Sequence, residues 1–371
     1  MRWIICLILF TGCLNAQNLL NGPEGIFYHS DTSTYYVANA LDGKIITIDM
    51  QSVHDEFVTG LNMPMEVLIV NEILYVTAND PKKLYGFNIN SGEMVLDIAI
   101  NEATGLSGMC FDDRTDMIYI ADQGGRIFTF NVSSEDLEIY IDTGEGISSS
   151  VQDIALDIPN NRLVVCFYAY SLALKEIDLE TGSVSTISGT GGGNHVGINM
   201  DTAGHFYVSN WSTNEILYYN NDFSTNGIFS SGQNQPVGIT FNYDIDFMAV
   251  ANFGGNTVDL IFMYLTDLDD NEIPDSGELD LKIFPNPFNP ATTISFANKE
   301  YIDTAMISIY NLKGQQVREF PVTKLFSQNE ERTSVIWDGR DNDKIPVVSG
   351  IYFCSLQAGN NSAVEKIVLL K

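Results

Sequence analysis

A short unit recurs six times in the first 263 residues of this 371-residue chain, and its period limits the fold more than any other feature. Its clearest copy is GGGNHVGINMDTAGHFYVSNWSTNEILYY, from Gly191 to Tyr219, where three short strand patterns are separated by two turns. Two columns align across the copies. The first falls at Pro23, Pro64, Leu106, Val151, His195 and Pro236, in steps of 41, 42, 45, 44 and 41 residues. The second closes an alternating apolar stretch at Asn39, Asn79, Asp122, Phe167, Asn210 and Asn252. A three-strand meander cannot bury its own faces and must stack on copies of itself. A period near 42 with short strands and no helical pattern reads as a six-bladed β-propeller.

In most copies a further strand pattern precedes the first column: Glu56 to Thr59, Ile139 to Asp142, Ser185 to Ser188 and Ile228 to Ser230. The sixth copy runs out near Met263 with three strands of its own. Leu19 and Leu20, directly before the first blade, are therefore expected to supply its fourth strand and close the ring, hiding an edge that would otherwise invite pairing.

Charge excludes some partners. With 18 Lys plus Arg against 48 Asp plus Glu, the formal charge of −30 repels phosphate backbones and anionic lipid, so no nucleic-acid partner is expected. Residues 1–16 read as a secretory leader: Arg2, an apolar run from Trp3 to Phe10, then Ala16, too short for a permanent transmembrane span. Leu14-Asn15-Ala16 suits ordinary cleavage, whereas Phe10-Thr11-Gly12-Cys13 is a degraded lipobox that would lipidate Cys13; the Phe three residues before that cysteine favours ordinary cleavage. Cys110, Cys166 and Cys354 then remain, without disulfide or zinc spacing, and read as buried free thiols in a monomeric chain.

The pattern Pro-x-Gly-Ile followed by Tyr-Val-Ala-Asn resembles the NHL-repeat and gluconolactonase class of six-bladed propellers, over residues 17–263. That class includes hydrolases, lyases and binding modules, so the resemblance carries architecture better than activity. No GxSxG, HExxH or phosphate-loop motif is present, and GTGGG at 189–193 reads as a turn between blades. The four histidines share no metal spacing; only His195 starts an inner strand, which makes it the best candidate acid or base. Glu24, Glu66 and Asp153 lie in or beside the first column, and Asp122, Asn210 and Asn252 end second strands, so these side chains could meet at one tunnel mouth. The bland role of the second column is to satisfy turn amides in each blade. Tyr36, Tyr75, Tyr119 and Tyr207 read as packing between blades. The gluconolactonase resemblance implies a divalent ion held partly by a glutamate, here Glu24 in Gly22-Pro23-Glu24-Gly25, with calcium or another divalent cation as the candidate. Two readings follow: a noncatalytic module binding a glycan, peptide or small molecule, or a metal-dependent lactone hydrolase or lyase.

Residues 264–280 form an acidic linker in which Asp267, Asp269, Asn271, Asp275 and Glu278 fall at positions 1, 3, 5, 9 and 12 of a calcium loop. Glu272 occupies the place of the turn glycine and no helices flank the segment, so it reads either as a calcium loop or as a solvated acidic hinge. From 281 to 371 about seven alternating strand patterns predict a small antiparallel Ig-like β-sandwich. This stretch resembles the C-terminal sorting domain of the type IX secretion system, in Pro285-Asn286-Pro287-Phe288, Trp337-Asp338-Gly339-Arg340-Asp341, Ser349-Gly350-Ile351-Tyr352 and the closing Lys371. The resemblance implies that residues 281–371 engage that machinery for export through the periplasm of a Bacteroidetes-like cell, the cargo being released or anchored at the surface.

Overall fold

The computed structural model describes residues 18–369, apart from 51, 145, 147–149, 244–246, 264–279, 287, 298–301, 312–315, 326–332, 343, 348–349 and 359–360. The leader, the lipobox, Lys371 and the whole calcium-loop set (Asp267, Asp269, Asn271, Asp275, Glu278) thus lie outside the described residues. The described residues fall into two compact units.

The first unit is a ring of six antiparallel sheets. Their inner strands are Pro23–His29, Pro64–Val70, Leu106–Asp112, Val151–Asp157, His195–Met200 and Pro236–Asn242, each starting at the residue of the first sequence column. The second strands are Thr34–Asn39, Ile73–Asn79, Met117–Asp122, Arg162–Phe167, Phe206–Asn210 and Phe247–Asn252, each ending at the second column. Val, Ile, Tyr and Phe dominate these segments because branched and aromatic side chains fit a pleated surface buried on both faces. The turn into the third strand ends in a left-handed residue: Gly43 (φ 70°), Gly125 (φ 94°), Asn214 (φ 59°) and Asn256 (φ 50°). Only Gly and Asn adopt that conformation readily, so a polar or absent side chain recurs there despite apolar surroundings.

The core lies between blades. Tyr36, Val67 and Val76 pack across the first and second blades, and Tyr75, Leu106 and Phe130 across the second and third. Tyr207 sets its ring edge-on against Phe241 of the sixth blade at 5.6 Å. The second-strand tyrosines are buried packing, as expected. Cys166 and Cys354 are buried free thiols, while Cys110 is half-buried.

Blade six departs from expectation. Among the described residues its sheet has three strands, and Leu19 and Leu20 do not add a fourth. Side chains have taken the backbone groups that a ladder would need. Asn18 accepts from Leu20 N through Oδ1 (3.0 Å) and donates to Asn256 O (3.0 Å), Asn256 Oδ1 accepts from Gly22 N (2.7 Å), and Asn39 donates to Leu19 O (2.7 Å). The entering segment is bent onto the sixth-blade turn while Leu20 is buried. The ring itself closes through inner strands: Tyr28 N donates to Thr240 Oγ1 (3.2 Å) and Asn242 Nδ2 to the Tyr35 hydroxyl (2.8 Å).

The second unit contains seven strands in two antiparallel sheets. Asp280–Phe284, Thr292–Ala297 and Thr333–Trp337 make one; Gln316–Leu325, Ile302–Asn311, Gly350–Ala358 and Asn361–Leu369 make the other. Their apolar faces meet around Trp337, Phe288, Phe296, Ile307 and Leu356. The Trp337 indole is fully buried, donates to Arg340 O (2.9 Å), and packs against Phe288 and Tyr352 at 5.3 and 5.0 Å.

Candidate functional site

The axis of the propeller is built by the third residue of each inner strand: Gly25, Glu66, Gly108, Asp153, Gly197 and Gly238. A β-bulge falls beside this residue in each blade; Glu66, Asp153 and Gly197 still pair with Thr77, Cys166 and Ser209, and the extra residue lies just before them. Four are glycine because the neighbouring strand comes too close for a side chain. A Cβ on Gly25 would stand 2.6 Å from Glu66 Cα, one on Gly108 2.6 Å from Asp153 Cα, and one on Gly238 2.6 Å from Glu24 O.

Glu66 and Asp153 occupy the space those glycines leave. Asp153 is 8% exposed and accepts from Ile154 N through Oδ1 (2.8 Å) and from Ile198 N of the next blade through Oδ2 (2.9 Å). Glu66 Oε1 accepts from Val67 N (2.9 Å). Hydroxyls extend the same stitching: Thr77 accepts from Glu66 N (3.1 Å) and donates to Ser107 O (2.8 Å), and Ser209 accepts from Gly197 N (2.7 Å) and donates to Val237 O (2.7 Å). Burial raises all three axial carboxyls, Glu24 to about 8, Asp153 to about 7 and Glu66 well above its ordinary range; the charges of Asp153 and Glu24 add to the rise at Glu66. Asp153 is therefore an interblade tie, whereas the Glu66 carboxylate is held within its own blade, whose link to the next runs through Thr77. Among the described residues no three His, Cys, Asp or Glu side chains come together in an arrangement that could hold a metal ion.

His195 is 1% exposed, with neither ring nitrogen hydrogen-bonded, and burial lowers it to about 4. It is a neutral side chain with no carboxylate to orient it. The second column takes the turn-satisfying role: Asp122 accepts from Thr104 N (2.7 Å), Gly105 N (3.0 Å) and Arg126 Nε (3.0 Å). Asn210 accepts from Ser212 N (3.2 Å) and Asn252 from Asn234 N (3.1 Å). The structure thus separates the sequence candidates into a buried axial set and a set that pins loops.

One feature lies a single column beyond those read from the sequence. The residue after each second strand includes Tyr168, Trp211 and Phe253, from three consecutive blades. Their rings meet in a row, Tyr168 to Trp211 at 6.4 Å and Trp211 to Phe253 at 5.4 Å. Carrying the repeat alignment forward by one residue would have exposed them. Beside the row, an open depression of about 310 Å³ lies between blades one and two, with Leu41, Leu61 and Met63 on its wall and Asp42 and Asp80 among its lining.

Residues 282–370 match the family described as the secretion system C-terminal sorting domain. This second unit is a sorting domain. It indicates secretion or attachment at the cell surface in Bacteroidetes-type bacteria. The sorting domain's sequence motifs serve its packing, since Phe288, Trp337 and Tyr352 form one aromatic cluster. The propeller is similar in structure to a gluconolactonase from Xanthomonas campestris (11% identity, TM-score 0.57, covering 66% of this chain and 86% of that one). It is also similar to a streptogramin B lyase (16%, 0.51, 69% and 96%) and to an auxiliary nutrient binding protein from Bacteroides thetaiotaomicron (11%, 0.56, 69% and 75%). At these identities the likeness is one of fold. No curated protein matches the chain in sequence. Among the described residues no helix is long and apolar enough to cross a membrane.

Proposed function

We propose that the chain is exported by the type IX route and acts outside the cell as a noncatalytic ligand-binding propeller. The sorting domain supports the export half. On this reading residues 1–16 carry the chain to the periplasm, residues 281–371 engage the export machinery, and the acidic segment at 264–280 takes calcium through Asp267, Asp269, Asn271, Asp275 and Glu278.

Neighbours described as a hydrolase, a lyase and a binding protein leave the propeller's chemistry open, so the donor set has to separate binding from catalysis. The observation that carries the binding reading is the engagement of Asp153 by two backbone amides and of Glu66 by one. A carboxylate that already accepts backbone hydrogen bonds has fewer lone pairs for a hard cation, which wants six or more oxygens. His195, buried without an orienting partner, is poorly placed to relay a proton.

The test is hydrolysis of simple lactones by the full secreted chain with calcium, manganese or zinc added in turn. Rates at the buffer blank are expected throughout. Metal-dependent turnover that Glu24→Gln abolishes would establish the lactonase reading in its place.

A further inference from the structure

In each blade the connection from second to third strand and the connection into the next inner strand leave from the same end, because successive strands alternate in direction. On blades four to six these are residues 168–174, 187–194, 211–214, 232–235 and 253–256. None of the five contains Asp, Glu, Lys or Arg, in a chain where 18% of residues are charged. The corresponding connections on blades one to three carry Asp42, Asp80 and Glu102. One sector of a chain of charge −30 is thus uncharged, built of Gly, Asn, Gln, Ser, Thr, aromatics and a few aliphatic residues (Ala169, Leu172, Ala173, Leu174 and Ile187).

The aromatic row runs through this sector. Tyr168 is 42% and Tyr170 66% exposed, and Trp211 and Phe253 are half-buried. The row is flanked by Leu41, which is 63% exposed and, like Phe253, crowds the place where a Cβ on Gly22 would stand. Its backbone is fixed by one hydrogen bond repeated from blade to blade: Tyr168 N donates to Ser150 O (2.9 Å), Trp211 N to Asn194 O (2.9 Å) and Phe253 N to Gln235 O (3.0 Å). Rings held this way lose little freedom when a ligand settles on them.

We propose that this sector is a binding site for a neutral polysaccharide, with Tyr168, Trp211 and Phe253 as its stacking residues. The proposal rests on the ligand-binding reading above and assigns its site and ligand class. Sugar rings present apolar C–H faces that pack on aromatic rings, and hydroxyls that pair with amides and hydroxyls rather than with charges. An anionic polymer would meet the repulsion of the whole chain, and a cationic one would be drawn to the acidic connections of blades one to three. A row of rings from successive blades fits an extended chain of repeating units better than a single small molecule.

The experiment is native affinity electrophoresis of the full chain through gels containing laminarin, dextran, xyloglucan or galactomannan, with alginate as the anionic probe. Retardation by at least one neutral polymer and none by alginate is expected. Trp211→Ala and Phe253→Ala should each weaken it about tenfold, the scale of one lost aromatic anchor, while Met94→Ala, exposed on an outer strand, leaves it unchanged. In the secreted chain, from which the leader and its Trp3 have been removed, Trp337 is fully buried in the sorting domain, so a shift of tryptophan emission on binding should come from Trp211 and vanish in Trp211→Phe, a variant expected to fold and to keep part of its affinity. Retardation that survives both alanine substitutions overturns the site and leaves a ligand-binding propeller standing. Absence of retardation by every neutral polymer overturns the ligand class. Lactone hydrolysis in the preceding assay would remove the binding reading itself.

Discussion

Replacing Asp153 by Asn tests whether the axial carboxylates are structural ties that carry a cost in charge. Burial raises this carboxyl from an ordinary 3.8 to about 7. A carboxylate raised in the folded state holds its proton between about 4 and 7 while the unfolded chain has already lost it. Its contribution to stability is therefore fully present near pH 4 and is lost as pH rises through 7. At about 1.4 kcal/mol per unit the loss is about 4 kcal/mol, the pull of the two amide donors on the anion being already part of the raised value. Asn cannot ionise, so it escapes that loss. It also turns an NH2 group toward one of the two backbone donors, Ile154 N or Ile198 N, at a cost of about 1–3 kcal/mol that does not vary with pH. The variant should thus melt below wild type at pH 5 and at or above it at pH 8, the difference swinging by several degrees since about 1 kcal/mol moves the midpoint of a propeller-sized unit by about 2–4 °C. Differential scanning fluorimetry at half-unit steps from pH 5 to 8 measures this directly. A melting difference that stays constant across the range would refute the assignment of Asp153 as a buried, strained carboxyl, since the surface charge of −30 is common to both proteins and cancels.

His195 should act with the opposite sign. Lowered from 6.5 to about 4, it favours folding above 6.5 and loses that contribution as pH falls toward 4, so His195→Leu should flatten the acid limb of the melting profile without lowering stability at pH 7. Gly108→Ala, which drives a methyl against the backbone of Asp153, should cost about 1–3 kcal/mol or more in chemical denaturation, and Asp153→Gly should not rescue it because the clash includes Cα. Asn256→Gly removes the acceptor for Gly22 N while keeping the left-handed turn, and should lower the melting temperature by a few degrees if the entering segment helps to close the ring. A chain ending at residue 279 should accumulate in the periplasm by cell fractionation, whereas surface display of that chain would contradict the sorting role.

The blades were legible because each must bury the same two faces. Six copies under one packing constraint keep apolar residues in register, and the two columns mark strand ends at every copy. The outer strands were read less well, with blade two's Met94–Ala99 unnoticed and others shifted by a residue or more, because an outer strand has one face in water and its pattern is diluted. The fourth strand of blade six failed for a different reason. Leu19 and Leu20 have the apolar character of a strand, but Asn18, Asn39 and Asn256 lie within reach and capture the backbone groups a ladder would use.

The site was harder to read because the residues that attract attention in a sequence are the charged ones, and here the buried charges do structural work. Glu66 and Asp153 stand where glycine stands in the other four blades, and only coordinates reveal that each fills the gap left by the preceding blade's glycine. The same geometry holds Glu66 and Asp153 on backbone amides of their own or the following blade, near enough that Asp153 still raises Glu66. A ring of this construction spends its polar axis on holding blades together, and the end that carries the aromatic row is then the place where variation between blades costs the fold least. Tyr168, Trp211 and Phe253 share this backbone bond with Ala40 and Gln123 at the matching places but differ from them in side chain, while blade two makes the bond one residue earlier, from Asn79 N. Difference at a position whose backbone is kept the same from blade to blade is where a repeat protein distinguishes one ligand from another.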